Sequence, residues 1–326
     1  MNIAIVGATG LVGRKIIDII VERNLKVDNF FLFADESEKD RKIKIFNKEY
    51  SVESLCLENL KGKKIDYAFF AVESEIAKKF APIFARRKIV VIDNSNAYRR
   101  ISKVPLVVPQ VNKEDLKKGK FIFSNPNCST IQLVTALKPL HEKFKIKRVV
   151  VSTYQAVSGA GKGGIDDLLK NTTKKFIYPI CRNLIPQIDY FKKNNYTNEE
   201  DKLIFETKKI LSFKELKITA TAVRVPVLNC HSESVNIEFE KNVNLKQIKS
   251  VLSNSPNIVV LDDTSKNIYP MPIVADNKDE VFVGRIRKDY SKANTFNLFI
   301  VADNLRRGAS SNAVDIFENL IKLKGR

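Results

Sequence analysis

The sequence predicts an α/β protein: a doubly wound domain built on a parallel sheet at the N-terminus, and an α+β domain with a mixed sheet after it. Three observations carry this expectation. The first third alternates wholly apolar strand-like runs with amphipathic helix-like runs. A glycine-rich turn joins the first of those strands to the first helix. From Arg148 onward the strand-like runs alternate apolar and polar residues, as half-buried strands do.

Asn2 to Val6 is an apolar strand. Leu11 to Arg23 carries Leu11, Val12, Ile16, Ile19 and Ile20 at the spacing of one helix face. Asn29 to Ala34, Tyr67 to Val72 and Ile89 to Asp93 are further apolar strands, with a helix predicted over Ile76 to Arg86. Leu106 to Val108 and Phe121 to Ser124 continue the pattern, and Ile131 to Lys143 reads as helix. Arg148 to Tyr154, Lys217 to Arg224 and Ser232 to Glu240 alternate like half-buried strands. Glu199 to Leu211 and Leu245 to Ser253 look helical, and Gly159 to Asn198 is expected to be irregular. The last helix, Ser311 to Leu323, is expected to take Ser310 or Ser311 as its N-cap.

With 326 residues the chain suits two domains. Hydrophobic residues at 44% and charged residues at 29% exclude a disordered chain. No apolar run is long enough to span a membrane, and the N-terminus lacks the basic start of a signal peptide, so a cytoplasmic protein is expected. The net charge of +19 raises a nucleic-acid role, but the lysines are spread along the chain without interleaved aromatics, and no nucleic-acid partner is expected. The four cysteines, Cys56, Cys128, Cys181 and Cys230, have no metal-ligand spacing, so no metal is expected.

Gly7-Ala8-Thr9-Gly10-Leu11-Val12-Gly13 lies between a strand and a helix. Amides at such a helix start hold a pyrophosphate, and the helix dipole favours its charge. These residues are therefore candidates for dinucleotide binding. Asp35 follows the second strand and is placed to accept from a ribose 2′-hydroxyl, which points towards NAD; Lys39, Arg41 and Lys42 stand nearby as the opposing signal.

Ser124-Asn125-Pro126-Asn127-Cys128-Ser129-Thr130 places Cys128 at a helix start, where dipole and amides favour thiolate over thiol. The same amides, with the Asn127 side chain, suit an oxyanion on an attacked carbonyl. A small cysteine packed under the turn is the alternative, and that is the reading for Cys56, Cys181 and Cys230. Of the two histidines, His141 sits within a helix and is expected on the surface, which leaves His231 as the acid/base partner.

These motifs resemble the bacterial aspartate-semialdehyde dehydrogenase family. The resemblance runs through Gly7 to Gly13, Asp93-Asn94-Ser95 with Arg99, Ser124 to Thr130, Ser152 to Gly161, Glu199 to Lys202, Arg224 to His231, Phe282 to Arg287 and Gly308 to Val314. It implies a Rossmann-like dinucleotide-binding domain over residues 1–128 plus 309–326, and a catalytic and dimerisation domain over 129–308. It implies reduction of L-4-aspartyl phosphate to L-aspartate 4-semialdehyde with release of phosphate, by way of a Cys128 thioester, in lysine, threonine and methionine biosynthesis. His231 would be the acid/base and Gln155 would orient the acyl-enzyme. Arg99, Asn127 and Lys202 would hold phosphate, Arg224 the α-carboxylate and Glu199 the α-amino group. Ser158, Gly159 and Asn312 would lie along the cofactor. NADP is the family's cofactor, yet Ala34 to Lys39 lacks the arginine that receives its 2′-phosphate, so weakened selectivity over NAD is expected. A homodimer or homotetramer is implied. The alternatives are an N-acetyl-glutamyl-phosphate reductase-like enzyme and a non-catalytic nucleotide-binding protein.

Overall fold

The structure, a computed structural model, describes residues 1–324 and divides into two compact units, residues 1–126 with 309–326 and residues 127–308. The first begins with strand β1 (Asn2–Val6), helix α1 (Leu11–Glu22) and β2 (Asn29–Ala34). A hairpin, β3 (Lys42–Ile45) and β4 (Lys48–Ser54), follows. After it come β5 (Tyr67–Phe70), α2 (Ser74–Arg86), β6 (Val90–Asp93), the short α3 (Pro109–Asn112) and β7 (Ile122–Ser124). The seven strands form one sheet in the order β3-β4-β2-β1-β5-β6-β7. All pairings are parallel except β3 with β4.

The period-two geometry of a strand explains why these runs are apolar throughout. Ile3 and Ile5 of β1 point to one side, into a core with Ile16, Ile19 and Ile20 of α1. Ala4 and Val6 point to the other, into a core with Ala77, Phe80 and Phe84 of α2. From β1 the chain goes to β2 on one side and later to β5 on the other, which puts the switch point of the sheet beside the glycine turn.

The edge hairpin was not expected. Its first strand alternates lysine with isoleucine over only four residues, and its second, Lys-Glu-Tyr-Ser-Val-Glu-Ser, is mostly polar, so periodicity does not register. Leu106 makes a single bridge to Ser124 where a strand was expected.

The second unit contains α4 (Cys128–Phe144), β8 (Ile146–Gln155), α5 (Gly161–Lys170), α6 (Asn198–Ile210), β9 (Lys217–Arg224), β10 (His231–Phe239), α7 (Leu245–Ser253), β11 (Ile258–Val260), α8 (Pro272–Ala275), β12 (Val281–Lys288) and β13 (Thr295–Ala302). Its six-stranded sheet runs β11-β12-β13-β10-β8-β9 and is mixed, with β8–β9 and β11–β12 parallel and the rest antiparallel. Helices α4, α6 and α7 pack on this sheet. Capping boxes start two of them: Thr197 with Glu200 for α6, and Asn244 with Gln247 for α7.

Helix α5 corrects the expectation of an irregular stretch from Gly159 to Asn198. Its first turn, Gly161-Lys162-Gly163-Gly164, has the poorest helix propensity short of proline, so only tertiary packing reveals it. The chain ends in α9 (Ser311–Lys324), whose Ala313, Val314, Ile316 and Phe317 join the core beneath α1. A π-turn over Arg306–Ser310 runs directly into α9, and Ser310 Oγ donates to Val12 O.

Candidate active site

Asn127 builds the start of α4. Its Oδ1 accepts from the amides of Ser129 and Thr130, at 3.0 and 3.4 Å, so it is the N-cap and Cys128 is the first helical residue. The Asn127 amide donates to Glu206 Oε2 at 2.7 Å, and its Nδ2 donates to Glu199 Oε1 at 2.9 Å. With its oxygen spent on the cap, Asn127 is locked by α6, and only its amide group remains for a ligand. Cys128 itself is half-buried. Gly308 covers it so closely that a Cβ there would sit 2.9 Å from Cys128 Cβ, so the residue above the thiol has no side chain.

His231 Nε2 lies 3.2 Å from Cys128 Sγ. The imidazole is fully buried, and its Nδ1 accepts from the Ala156 amide at 3.1 Å. An amide proton aimed at Nδ1 leaves the ring proton on Nε2, facing sulfur. Burial first, and the Arg224 charge second, push the ring's pKa down to about 3 against the opposing pull of Glu199. The resting pair is thus a neutral imidazole donating to sulfur, an arrangement that stabilises a thiolate. Gln132, fully buried on α4, donates to His231 O at 3.3 Å and fixes the strand end.

Gln155, Glu199 and Lys202 form one network. Gln155 Nε2 donates to Glu199 Oε1 at 3.1 Å, and Lys202 Nζ pairs with Glu199 Oε2 at 2.9 Å and with Asp189 at 3.0 Å. Burial alone would raise the Glu199 carboxyl. The Lys202 ammonium and the bonds from Lys202, Gln155 and Asn127 outweigh it and hold the pKa at about 2. Arg224, at the end of β9, is also buried; its Nη1 donates to Ala156 O at 2.6 Å, while Nε has no hydrogen-bond partner.

The structure therefore gathers Cys128, His231, Gln155, Asn127, Glu199, Lys202 and Arg224 in the second unit. Sequence reasoning missed Glu206, Gln132 and Asp189. Glu206 had a readable signal, since it stands two helical turns beyond Glu199 and therefore on the same side of α6. Gln132 and Asp189 had none, one lying mid-helix and the other in a loop.

Other residues depart from expectation. His141 is half-buried, stacks on Phe213 at 4.8 Å and accepts the Ile146 amide at Nδ1, so it secures the end of α4 instead of facing solvent. Cys230 is buried, but Cys56 and Cys181 are half-exposed, because both lie in short surface segments. Cys230, Asp276 and Asp303 bring a thiol and two carboxylates within 4.8 Å of one another. The Asp303 oxygens already accept the amides of Asn277, Leu305 and Arg306, and burial raises the Cys230 thiol.

In the first unit, the glycine turn fits a pyrophosphate. Gly7 has φ +88°, and a Cβ on it would lie 2.2 Å from Ala71 O; one on Gly13 would lie 2.1 Å from Gly7 O. Thr9 is half-buried between them, and Gly10 starts α1 with no side-chain cap. No acidic side chain occupies the first turn, where Leu11 and Val12 present the helix start. Asp35 accepts the amide and hydroxyl of Ser37, which keep its carboxylate below its ordinary pKa. Lys39 and Arg41 pair with Glu36 and Glu38. Arg99 is buried and donates to Asn94 O at 2.7 Å. Asn312 donates to Val107 O and Asn125 Oδ1 and ties the segment before α3 to the residue just past β7. In the second unit, Ser158 exchanges hydrogen bonds with Asn304, and Gly159 is exposed.

A family model for the semialdehyde dehydrogenase NAD binding domain matches residues 2–119, and one for the semialdehyde dehydrogenase dimerisation domain matches residues 137–307. The aspartate-semialdehyde dehydrogenase of Aquifex aeolicus (strain VF5) is 49% identical over 335 residues, covering 98% of each chain. A crystal structure of aspartate semialdehyde dehydrogenase II complexed with ASA, from Vibrio cholerae, aligns at TM-score 0.94 and 39% identity over 98% of each chain. The Candida albicans aspartate semialdehyde dehydrogenase with NADP aligns at TM-score 0.76 and 27% identity, again over 98% of each.

Proposed function

Because the chain belongs to the aspartate-semialdehyde dehydrogenase family, we propose that it reduces L-4-aspartyl phosphate to L-aspartate 4-semialdehyde through a thioester on Cys128. It is an oxidoreductase acting on an aldehyde group, with a nicotinamide cofactor, in amino-acid biosynthesis. The observation that carries the catalytic assignment is the 3.2 Å approach of His231 Nε2 to a sulfur at the start of a helix.

The Cys128 thiolate attacks the acyl carbon; the C–S bond forms, the bond to phosphate oxygen breaks, and the departing phosphate takes up one proton from solvent, the proton that the net reduction consumes. His231 Nε2–H, which donates to sulfur at rest, turns to the oxygen that becomes negative on the acyl carbon and returns to sulfur when thiolate is expelled. Bound nicotinamide supplies the hydride that reduces the thioester carbon. Gln155 orients the acyl group. Glu199 is held anionic by its three donors and takes the substrate's ammonium, and Arg224 takes its carboxylate. Lys202 and Asn127 receive phosphate, and Arg99 is assigned with them on the family resemblance. Gly7 to Gly13, Asp35, Ser158, Gly159 and Asn312 are assigned to the cofactor on the same ground.

The cofactor is NADP with weakened selectivity. An exposed anionic Asp35 at the end of β2 disfavours a 2′-phosphate, and the nearby Lys39 and Arg41 are already engaged by Glu36 and Glu38. Phosphate-dependent oxidation of L-aspartate 4-semialdehyde is expected with both NADP and NAD, with kcat/KM within about a hundredfold of each other, or about 2.7 kcal/mol. A larger preference for NADP contradicts the selectivity. No phosphate-dependent turnover with either overturns the function.

A cytoplasmic homodimer completes the proposal. No helix among the described residues is long and apolar enough to cross a membrane. The second unit matches a dimerisation domain and exposes Ile177, Tyr178, Tyr190 and Phe191. Sedimentation is expected to give twice the 37.0 kDa chain mass, and a monomer at micromolar concentration would contradict it.

A further inference from the structure

We propose that Phe176 is a positioning residue for substrate recognition: its ring lies against the Arg224 guanidinium and steadies that cation while leaving its in-plane donors for the ligand. The inference rests on the reading of Arg224 as the carboxylate receptor and adds a residue to which that reading assigns nothing.

Arg224 is 4% exposed, and a buried cation needs compensation. The fixed protein bond from its guanidinium is Nη1 to Ala156 O, and Nε has no hydrogen-bond partner. The guanidinium carbon lies 5.9 Å from the centre of the Phe176 ring, within the range of a cation–π contact. A carboxylate in that position would also compensate the charge, but it would occupy the planar fork that the substrate must bind. An aromatic face attracts the cation without consuming an N–H donor. Phenylalanine therefore meets a requirement that neither an acid nor an aliphatic residue meets.

The ring is held in place from its own backbone. Asp167, buried on α5, accepts the amides of Lys174, Lys175 and Phe176, between 2.7 and 2.9 Å, and the Thr172 hydroxyl at 2.6 Å. One carboxylate thus gathers the loop that follows α5 and fixes where Phe176 leaves it. The ring then packs on the small core of Val157, Ile180 and Ile185. Gly159 completes the setting, since a Cβ there would lie 3.0 Å from Arg224 Nη1.

The test compares two substrates on each protein: L-aspartate 4-semialdehyde, and 3-aminopropanal, which keeps the aldehyde and amine but lacks the carboxylate. Taking the ratio of kcat/KM values cancels any loss of folded enzyme. Phe176→Leu is expected to lower the ratio about tenfold, mainly by raising KM for the carboxylate substrate. Phe176→Tyr, which keeps the aromatic face, is expected to stay near the wild-type ratio. Arg224→Lys should collapse the ratio further. An unchanged ratio in Arg224→Lys would overturn the carboxylate reading and this proposal with it. A collapsed ratio in Arg224→Lys beside an unchanged ratio in Phe176→Leu, or an equal fall in Phe176→Leu and Phe176→Tyr, would overturn the proposal alone.

Discussion

Replacing Cys128 with alanine is expected to lower kcat by about 10⁴-fold or more, with the fold intact. The substitution removes the only atom placed to form the acyl bond in the proposed reaction. It leaves the helix start in order, because the cap is the Asn127 side chain and not the thiol. No hydrophobic core is disturbed, since Cys128 is only half-buried. Intact-mass measurement after mixing with aspartyl phosphate is expected to show the aspartyl adduct on the wild type and none on the variant. A variant within tenfold of the wild-type rate would sink the covalent mechanism.

His231→Ala carries the second largest effect, a loss of about 10² to 10⁴ in kcat. Two physical roles disappear together: the Nε2–H that steadies the sulfur anion, and the donor that meets charge on the acyl oxygen. The same substitution has a signature in stability. The unfolded chain takes up a proton near the ordinary imidazole pKa of 6.5, whereas the folded site keeps the ring neutral down to about 3. Falling pH therefore favours the unfolded state across that window, by up to about 1.4 kcal/mol per pH unit. Glu199 acts in the same direction lower down, between its ordinary 4.5 and about 2, because its folded carboxyl resists protonation. Glu233 and Asp93, whose carboxyls burial raises, act the opposite way. The quantity to measure is thus the difference between proteins. Between pH 6.5 and 4.5, urea unfolding of His231→Ala is expected to lose less stability than the wild type. Equal losses would mean that the folded imidazole titrates normally.

Much of the candidate site was readable from local order. A strand, a turn of asparagine and proline, and a helical period were enough to set Cys128 at a helix start, because capping depends on a few adjacent residues. Glu199 and Lys202 were readable as a pair because one helical turn brings them together. Gly7 to Gly13 was readable because only glycine fits a backbone that approaches itself so closely. Strands β12 and β13 went unassigned although both are largely apolar; the other misses were short, charged or glycine-rich: the β3–β4 hairpin, and α5 with its weak first turn. Such elements are stabilised by packing more than by propensity.

The sequence by itself determined which groups could react: the thiol, the imidazole, the acid–lysine pair and the glycine turn. Apart from the imidazole, reached by elimination between two histidines, each is a property of residues near one another along the chain. Only the tertiary structure decided how those groups are charged and aimed. The Ala156 amide chooses the His231 tautomer, Asn127 and Gln155 from other elements join the neighbouring Lys202 in holding Glu199 anionic, and the loop gathered by Asp167 brings Phe176 to Arg224. These are long-range matters. Burial and hydrogen-bond partners set a side chain's charge state, and both come from parts of the chain that folding alone brings together.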